Sequence, residues 1–165
     1  MAKDESFDVV SQVDLQEVDN AVQQATKELV QRYDLKDTHS TIALDKHEAT
    51  VAVTAPSDFV FRQVKDVLDT KLVRRNIDLK ALTWGKVEPA SGGTVRCSAK
   101  IVNGIEMEIA RTINKDVRDE KYKVKVQIEG DKVRVFSPSR DELQKVITFL
   151  KQQEYGIPLQ FVNYR

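Results

Sequence analysis

The sequence predicts an α+β chain made of two successive β-α-β-β-α-β units, and three observations carry that expectation. Apolar residues recur at helical spacing in four segments and alternate in the stretches between them. The order of segments over residues 7–84 returns over residues 95–164. In both halves the second strand of a hairpin leaves through a Pro-Ser pair, in "TAPSDF" at 54–59 and "FSPSRDEL" at 136–143.

In the first half, Phe7 to Ser11 reads as a short strand, followed by a helix from Asp14 to about Arg32 with Leu15, Val18, Val22, Ala25 and Leu29 on one face. Asp14 is the expected N-cap, and Glu17 three positions on completes a capping box. Alternation in Thr41–Leu44 and Val51–Thr54, joined through Asp45-Lys-His-Glu, reads as a hairpin. Ser57 caps a second helix that turns Val60, Val64, Val67, Leu68 and Leu72 inward and ends near Asn76; Leu79 to Trp84 closes the half as a strand. The second half repeats this as a strand at Val95–Ile101, a helix from about Ile105 to Asp119, a hairpin over 122–136, a helix from Ser139 to about Gln153 and a strand at Leu159–Tyr164. Ser139 and Glu142 form another expected capping box. Between the halves, "GKVEPASGG" at 85–93 has the glycine, proline and small residues of a linker.

This order is the ferredoxin-like arrangement, in which two helices cover one face of a four-stranded antiparallel sheet and leave the other face available. Pattern alone leaves open whether strands 7–11 and 95–101 stay with their own halves or change places, and a single larger mixed sheet is the alternative.

With 41% apolar and 32% charged residues, the 165-residue chain has globular composition. No stretch approaches the length of an apolar spanning helix, and the opening Met1-Ala-Lys-Asp-Glu-Ser offers no signal-peptide core, so a cytoplasmic location without a membrane partner is expected. One cysteine, Cys97, excludes an internal disulfide, and His39 and His47 lack a neighbouring ligand set, so no metal or cofactor is expected. The net charge is zero, but residues 1–85 carry 11 Lys and Arg against 15 Asp and Glu, and residues 86–165 carry 15 against 11. An anion-binding surface is therefore expected mainly in the second half.

Alternation in "YKVKVQIEGDKVRV" puts Tyr122, Val124, Val126, Ile128, Val133 and Val135 on one side of the second hairpin. Lys123, Lys125, Gln127, Lys132, Arg134 and Phe136 fall on the other, a basic face with an aromatic at its edge. Such a face is either ordinary solvated surface or a place for phosphate, because lysines opposite an arginine repel one another unless an anion intervenes. Phe136 or Tyr164 would offer a base a stacking surface. Arg96, Ser98 and Lys100 alternate out of their strand and would extend this surface or face a cleft between the halves. The outward residues of the first hairpin, Thr41, Ala43, Ala52 and Thr54, make a small, nearly neutral face suited to close packing against another layer.

Signals for catalysis are missing. No phosphate loop ending in Gly-Lys-Ser/Thr occurs, neither histidine has a nucleophile partner, and Glu106 and Glu108 point to different sides of their helix. Cys97 reads as a small core residue.

Four stretches carry a resemblance over nearly the whole chain: "SFDVVSQVDLQEVDNAVQQATKELVQRYDLK" at 6–36, "VKDVLDTKLVRRNIDLKAL" at 64–82, "GGTVRCSAKIVNGIEMEIARTINKDVRD" at 92–119 and "KVKVQIEGDKVRVFSPSRDELQKVI" at 123–147. With the terminal "LQFVNYR", they resemble the YajQ family of bacterial nucleotide-binding proteins. The resemblance implies two ferredoxin-like domains with exchanged first strands: one over 12–91 completed by 93–101, one over 102–165 completed by 6–11, and a linker at 85–93. It also implies a non-catalytic protein that binds a nucleotide, with cyclic di-GMP, GTP and RNA all associated with the family, and a regulatory protein partner as a further expectation. The family-like positions nominate Phe7, Asp8, Ser11, Arg32, Lys100, Arg111, Lys115, Lys123, Lys125, Arg134, Phe136 and Arg140 as nucleotide-binding candidates. Among them Lys100, Lys123, Lys125 and Arg134 are the electrostatic candidates, and Phe7 and Phe136 the stacking ones.

Overall fold

The computed structural model describes residues 4–165, which form two compact units: Val13–Val102, called the first unit, and the residues up to Gln12 together with Asn103–Arg165, called the second. Each contains an antiparallel sheet and two helices, as the tandem ferredoxin-like reading requires.

In the first unit, α1 (Leu15–Gln31) is followed by the hairpin β2 (Thr41–Asp45) and β3 (Thr50–Ala55), then α2 (Asp58–Arg74) and β4 (Leu82–Trp84). Val18, Ala21, Val22, Ala25 and Leu29 give α1 a continuous buried stripe at helical spacing, and it packs with Phe61, Val64, Val67, Leu68 and Leu72 of α2. Asp14 caps α1 by accepting a hydrogen bond from Gln16 N at 2.9 Å. The expected capping box closes no further, because the Glu17 carboxylate turns to Arg75 of the other helix end at 3.2 Å. The sheet order is β2-β3-β6-β4, where β6 is Val95–Ile101.

Residues 85–93, expected as a linker, contain β5 (Glu88–Pro89), which runs along β6 opposite Arg96 and Val95. Gly85 N donates to Ser98 O at 2.9 Å, so this segment follows the sheet edge inside the first unit. The expected strand at 79–84 is shortened to β4, since Leu79–Ala81 forms a 3-10 turn capped by Asp78.

In the second unit, α3 (Met107–Asp119), the hairpin β7 (Lys125–Glu129) and β8 (Lys132–Ser137), α4 (Arg140–Gln152) and β9 (Gln160–Val162) are joined by β1 (Glu5–Val10). The order is β7-β8-β1-β9. Each half's first strand thus sits in the other half's sheet: β1 pairs β8 and β9, and β6 pairs β3 and β4. Phe7 and Val9 join Ala110, Ile113, Val117, Val133, Val135, Val146 and Leu150 in the core. Ser139 Oγ accepts from Glu142 N, while the Glu142 carboxylate accepts from Lys123 N at 3.1 Å instead of returning to the helix cap. Past β1, Ser11 O accepts from Gly104 N. Only glycine fits there, because its φ is 93° and an added Cβ would lie 2.8 Å from the Asp131 side chain.

Candidate nucleotide surfaces on the two sheets

The hairpin of the second unit has the predicted alternation. Val126 lies opposite Val135 and Ile128 opposite Val133, while Lys125 faces Phe136, Gln127 faces Arg134 and Glu129 faces Lys132. The charge pattern on that face differs from the expected one, because the adjoining strand is β1 and it brings a carboxylate. Asp8 lies directly opposite Arg134 in the ladder and is 1% exposed. Arg134 Nε donates to Asp8 Oδ1 at 2.7 Å, Asn163 Nδ2 donates to Oδ2 at 2.8 Å, and Lys132 Nζ stands 3.5 Å away. Arg134 also meets Glu129 at 3.3 Å. Burial pushes the Asp8 carboxyl upward, but the hydrogen bonds from Arg134 and Asn163 and the charges of Arg134 and Lys132 outweigh it and hold the pKa at about 2. The counter-anion for the centre of the basic face is therefore internal.

This rearranges the candidate list. Asp8 is a buried ion-pair partner with no open edge for ligand, and Arg134 is committed to it. Phe7 is fully buried, with its ring centroid 6.0 Å from Phe161 and 6.3 Å from Tyr164, so it is a core aromatic and has no free face for stacking. Ser11 is also fully buried, and its Oγ has no hydrogen-bond partner among the described residues. Arg140 donates to Glu5 at 2.7 Å, and Arg32, in the first unit, is held by Asp34 at 2.8 Å and Glu28 at 3.6 Å. Arg111 and Lys115 are exposed on α3, four residues apart on a helix whose Ala110, Ile113 and Val117 point to the core. On the open part of the second sheet there remain Lys125 and the half-buried Phe136, while the exposed Lys123 lies in the bend before β7, its carbonyl accepting from Ser137 Oγ.

Lys100 lies elsewhere. In the first unit β6 contributes Cys97 and Ala99 to the core and turns Arg96, Ser98 and Lys100 outward. Cys97 is 2% exposed, its Sγ–H donates to Gly85 O at 3.3 Å, and burial raises its pKa, as suits a core thiol. The outward face forms three rows across the strands: Thr41, Thr54 and Arg96; Ala43, Ala52 and Ser98; and Asp45, Thr50, Lys100 and Thr83. The middle row has the smallest side chains, so the face is a shallow trough whose banks stand about 13 Å apart at about 3.3 Å per residue. Arg96, Ser98, Lys100, Thr41 and Ala43 are exposed, and Ala52 and Thr54 are half-buried. Two cations thus stand on opposite banks at the β6 end. Neither forms an ion pair among the described residues, although Glu88 lies opposite Arg96 and Asp45 shares the Lys100 row. Strand alternation in the sequence turns these side chains outward without assembling them. Alternation gave each residue's face, and only the exchanged pairing puts Arg96 and Lys100 beside Ala52.

No helix among the described residues is long and apolar enough to cross a membrane. A family model described as "Nucleotide-binding protein YajQ-like" matches residues 5–165. A "Nucleotide-binding protein" of Desulfitobacterium hafniense is 49% identical over 165 residues, covering 100% of both chains. Proteins of the same name from Alkaliphilus oremlandii and Carboxydothermus hydrogenoformans are 46% and 47% identical, also over the full length of both chains. With the family model spanning nearly all of the chain and end-to-end relatives sharing almost half of its residues, this protein belongs to the YajQ-like family.

Proposed function

We propose that the chain binds a phosphate-bearing nucleotide or dinucleotide, and that its phosphates lie over the trough on the first unit's sheet. The names of its relatives support the ligand class. The observation that carries the site is the placing of Arg96 and Lys100 on opposite banks of the small-residue row, both exposed and neither in an ion pair among the described residues. A phosphate over Ser98 would receive charge-assisted hydrogen bonds from both long side chains and one from the serine hydroxyl. Ala43 and Ala52 would let a ligand approach the backbone closely. A ligand with two phosphates, such as cyclic di-GMP, uses both banks; a single-stranded RNA would follow the same face with its backbone.

Titration of GTP, cyclic di-GMP and a short single-stranded RNA against wild type and the double variant Arg96→Ala/Lys100→Ala tests this reading. At least one probe should bind wild type below millimolar concentration. The double variant should bind it at least about tenfold more weakly, since two charge-assisted contacts are lost, and its melting temperature should not change. RNA tracking would show a log-log salt slope of about −0.7 per phosphate neutralised, whereas a small nucleotide would show little salt dependence beyond its own few charges. Full binding by the double variant, with loss in Lys125→Ala, would move the site to the second unit's hairpin.

A further inference from the structure

The second unit also holds a pocket of about 390 Å³ on the helix side of its sheet, away from the basic hairpin face. Its walls come from the first residues of β1, from α4 and from the chain after β9. Leu143 and Ile147, 7% and 5% exposed, form an apolar floor. Tyr164 stands over it with 66% of its surface exposed. That exposure comes without freedom of the backbone, because Ser6 N donates to Arg165 O at 3.1 Å and Arg165 N returns a bond to Ser6 O at 3.0 Å. The Tyr164 ring also leans on Phe7 at 6.3 Å. A large aromatic face is thus presented to solvent and already ordered, which lowers the entropy cost of anything that stacks on it.

The rim carries two guanidinium groups, Arg140 and Arg165, and the Glu5 carboxylate. Arg165 forms no ion pair among the described residues, and Arg140 has Glu5 as its partner, with the Arg140 side chain 85% exposed. The Glu5 carboxylate already provides Arg140 with an acceptor, so an entering anion competes with Glu5 for that guanidinium. An anion without a ring would leave the Tyr164 face and the aliphatic floor uncovered, and a neutral ring would leave both guanidinium groups unused.

We propose that this pocket is a second ligand site, taking a small phosphate monoester that carries a flat ring. The ring lies against Tyr164 over Leu143 and Ile147, and the phosphate is held by Arg165 and by Arg140 as it leaves Glu5. The inference does not depend on the sheet-face reading, since no residue is shared between the two places.

The test uses the full chain with methyl-labelled Leu, Ile and Ala and with adenosine 5′-monophosphate as probe. Ribose 5-phosphate and adenosine serve as half-probes. The expected result is saturable movement of the Leu143 and Ile147 methyl resonances by the monophosphate, with each half-probe at least about tenfold weaker. Tyr164→Ala should weaken the monophosphate by roughly tenfold through lost stacking. Glu5→Gln should tighten it about two- to threefold, because the competing charge is removed, and no purely packing role for Glu5 produces that sign. Equal affinity for the monophosphate and ribose 5-phosphate would overturn the proposal. So would unchanged binding in Tyr164→Ala, or movement confined to the Ala43 and Ala52 methyls of the trough.

Discussion

The two sheets receive each other's first strand, and the exchange moves charge in opposite directions. In the second unit the hairpin is basic, with Lys125, Lys132 and Arg134, and the incoming β1 carries Asp8 into its centre. In the first unit the hairpin face is small and nearly neutral, and the incoming β6 carries Arg96 and Lys100 onto it. The alternative arrangement is electrostatically poor on both sides. Asp8 among Thr and Ala neighbours would lack a cation, and Arg96 and Lys100 beside Arg134 and Lys132 would add repulsion to a face that already carries like charges. The comparison teaches that a cationic strand seen in sequence can be a structural half-pair, while a bland hairpin can receive its cations from a strand of the other half.

The largest expected effect sits on β1. Phe7→Ala should destabilise the protein by about 3–5 kcal/mol through loss of a fully buried ring, measured by denaturant unfolding. If the loss were below about 1 kcal/mol, β1 would not be the central strand it is taken to be.

Next comes Arg134→Ala. It leaves the buried Asp8 carboxylate with Lys132 and Asn163 alone, so it should lower the melting temperature by several degrees without weakening nucleotide binding. Unchanged stability together with lost affinity would reverse the assignment and make Arg134 a ligand residue.

The same carboxylate sets an acid limb. Its folded pKa of about 2 lies below its ordinary value of 3.8, so its contribution is complete above about pH 4 and disappears as pH falls toward 2. The amount is on the order of 2 kcal/mol. Asp8→Asn should flatten this part of the stability profile, and a variant profile parallel to that of wild type between pH 4 and 2 would argue against it.

The smallest expected effects on stability are on the open faces. Lys125→Ala should leave the melting temperature unchanged, since the side chain is exposed and opposite Phe136. Ala52→Glu, placing a carboxylate on the trough floor, should also fold but should abolish the binding assigned to Arg96 and Lys100. Retained affinity in that variant would remove the trough from consideration.

Much of the fold was legible because its signals are local. The α1 and α2 stripes, the Asp14, Ser57 and Ser139 caps and the two hairpins follow from spacing and side-chain chemistry within a few residues. Where reading by pattern fell short, long-range partners had intervened. Glu17 left its capping box for Arg75, 58 residues away, and Glu142 left its own for Lys123 N. Residues 85–93 have the composition of a linker, yet β6 offered them an edge to pair with.

The sequence by itself determined which side chains face together along each strand, because the period of two is a property of the extended backbone. The same holds for the helix faces and for the repeated β-α-β-β-α-β order. Which strands lie side by side was decided by the tertiary structure, since alternation is silent about neighbours. That pairing turned Phe7 from a stacking candidate into core, gave Arg134 a buried carboxylate 126 positions away, and brought Arg96 and Lys100 to a face of alanines and threonines. Charge is read along the chain, but the field at a site is a sum over spatial neighbours, and only the folded pairing supplies those.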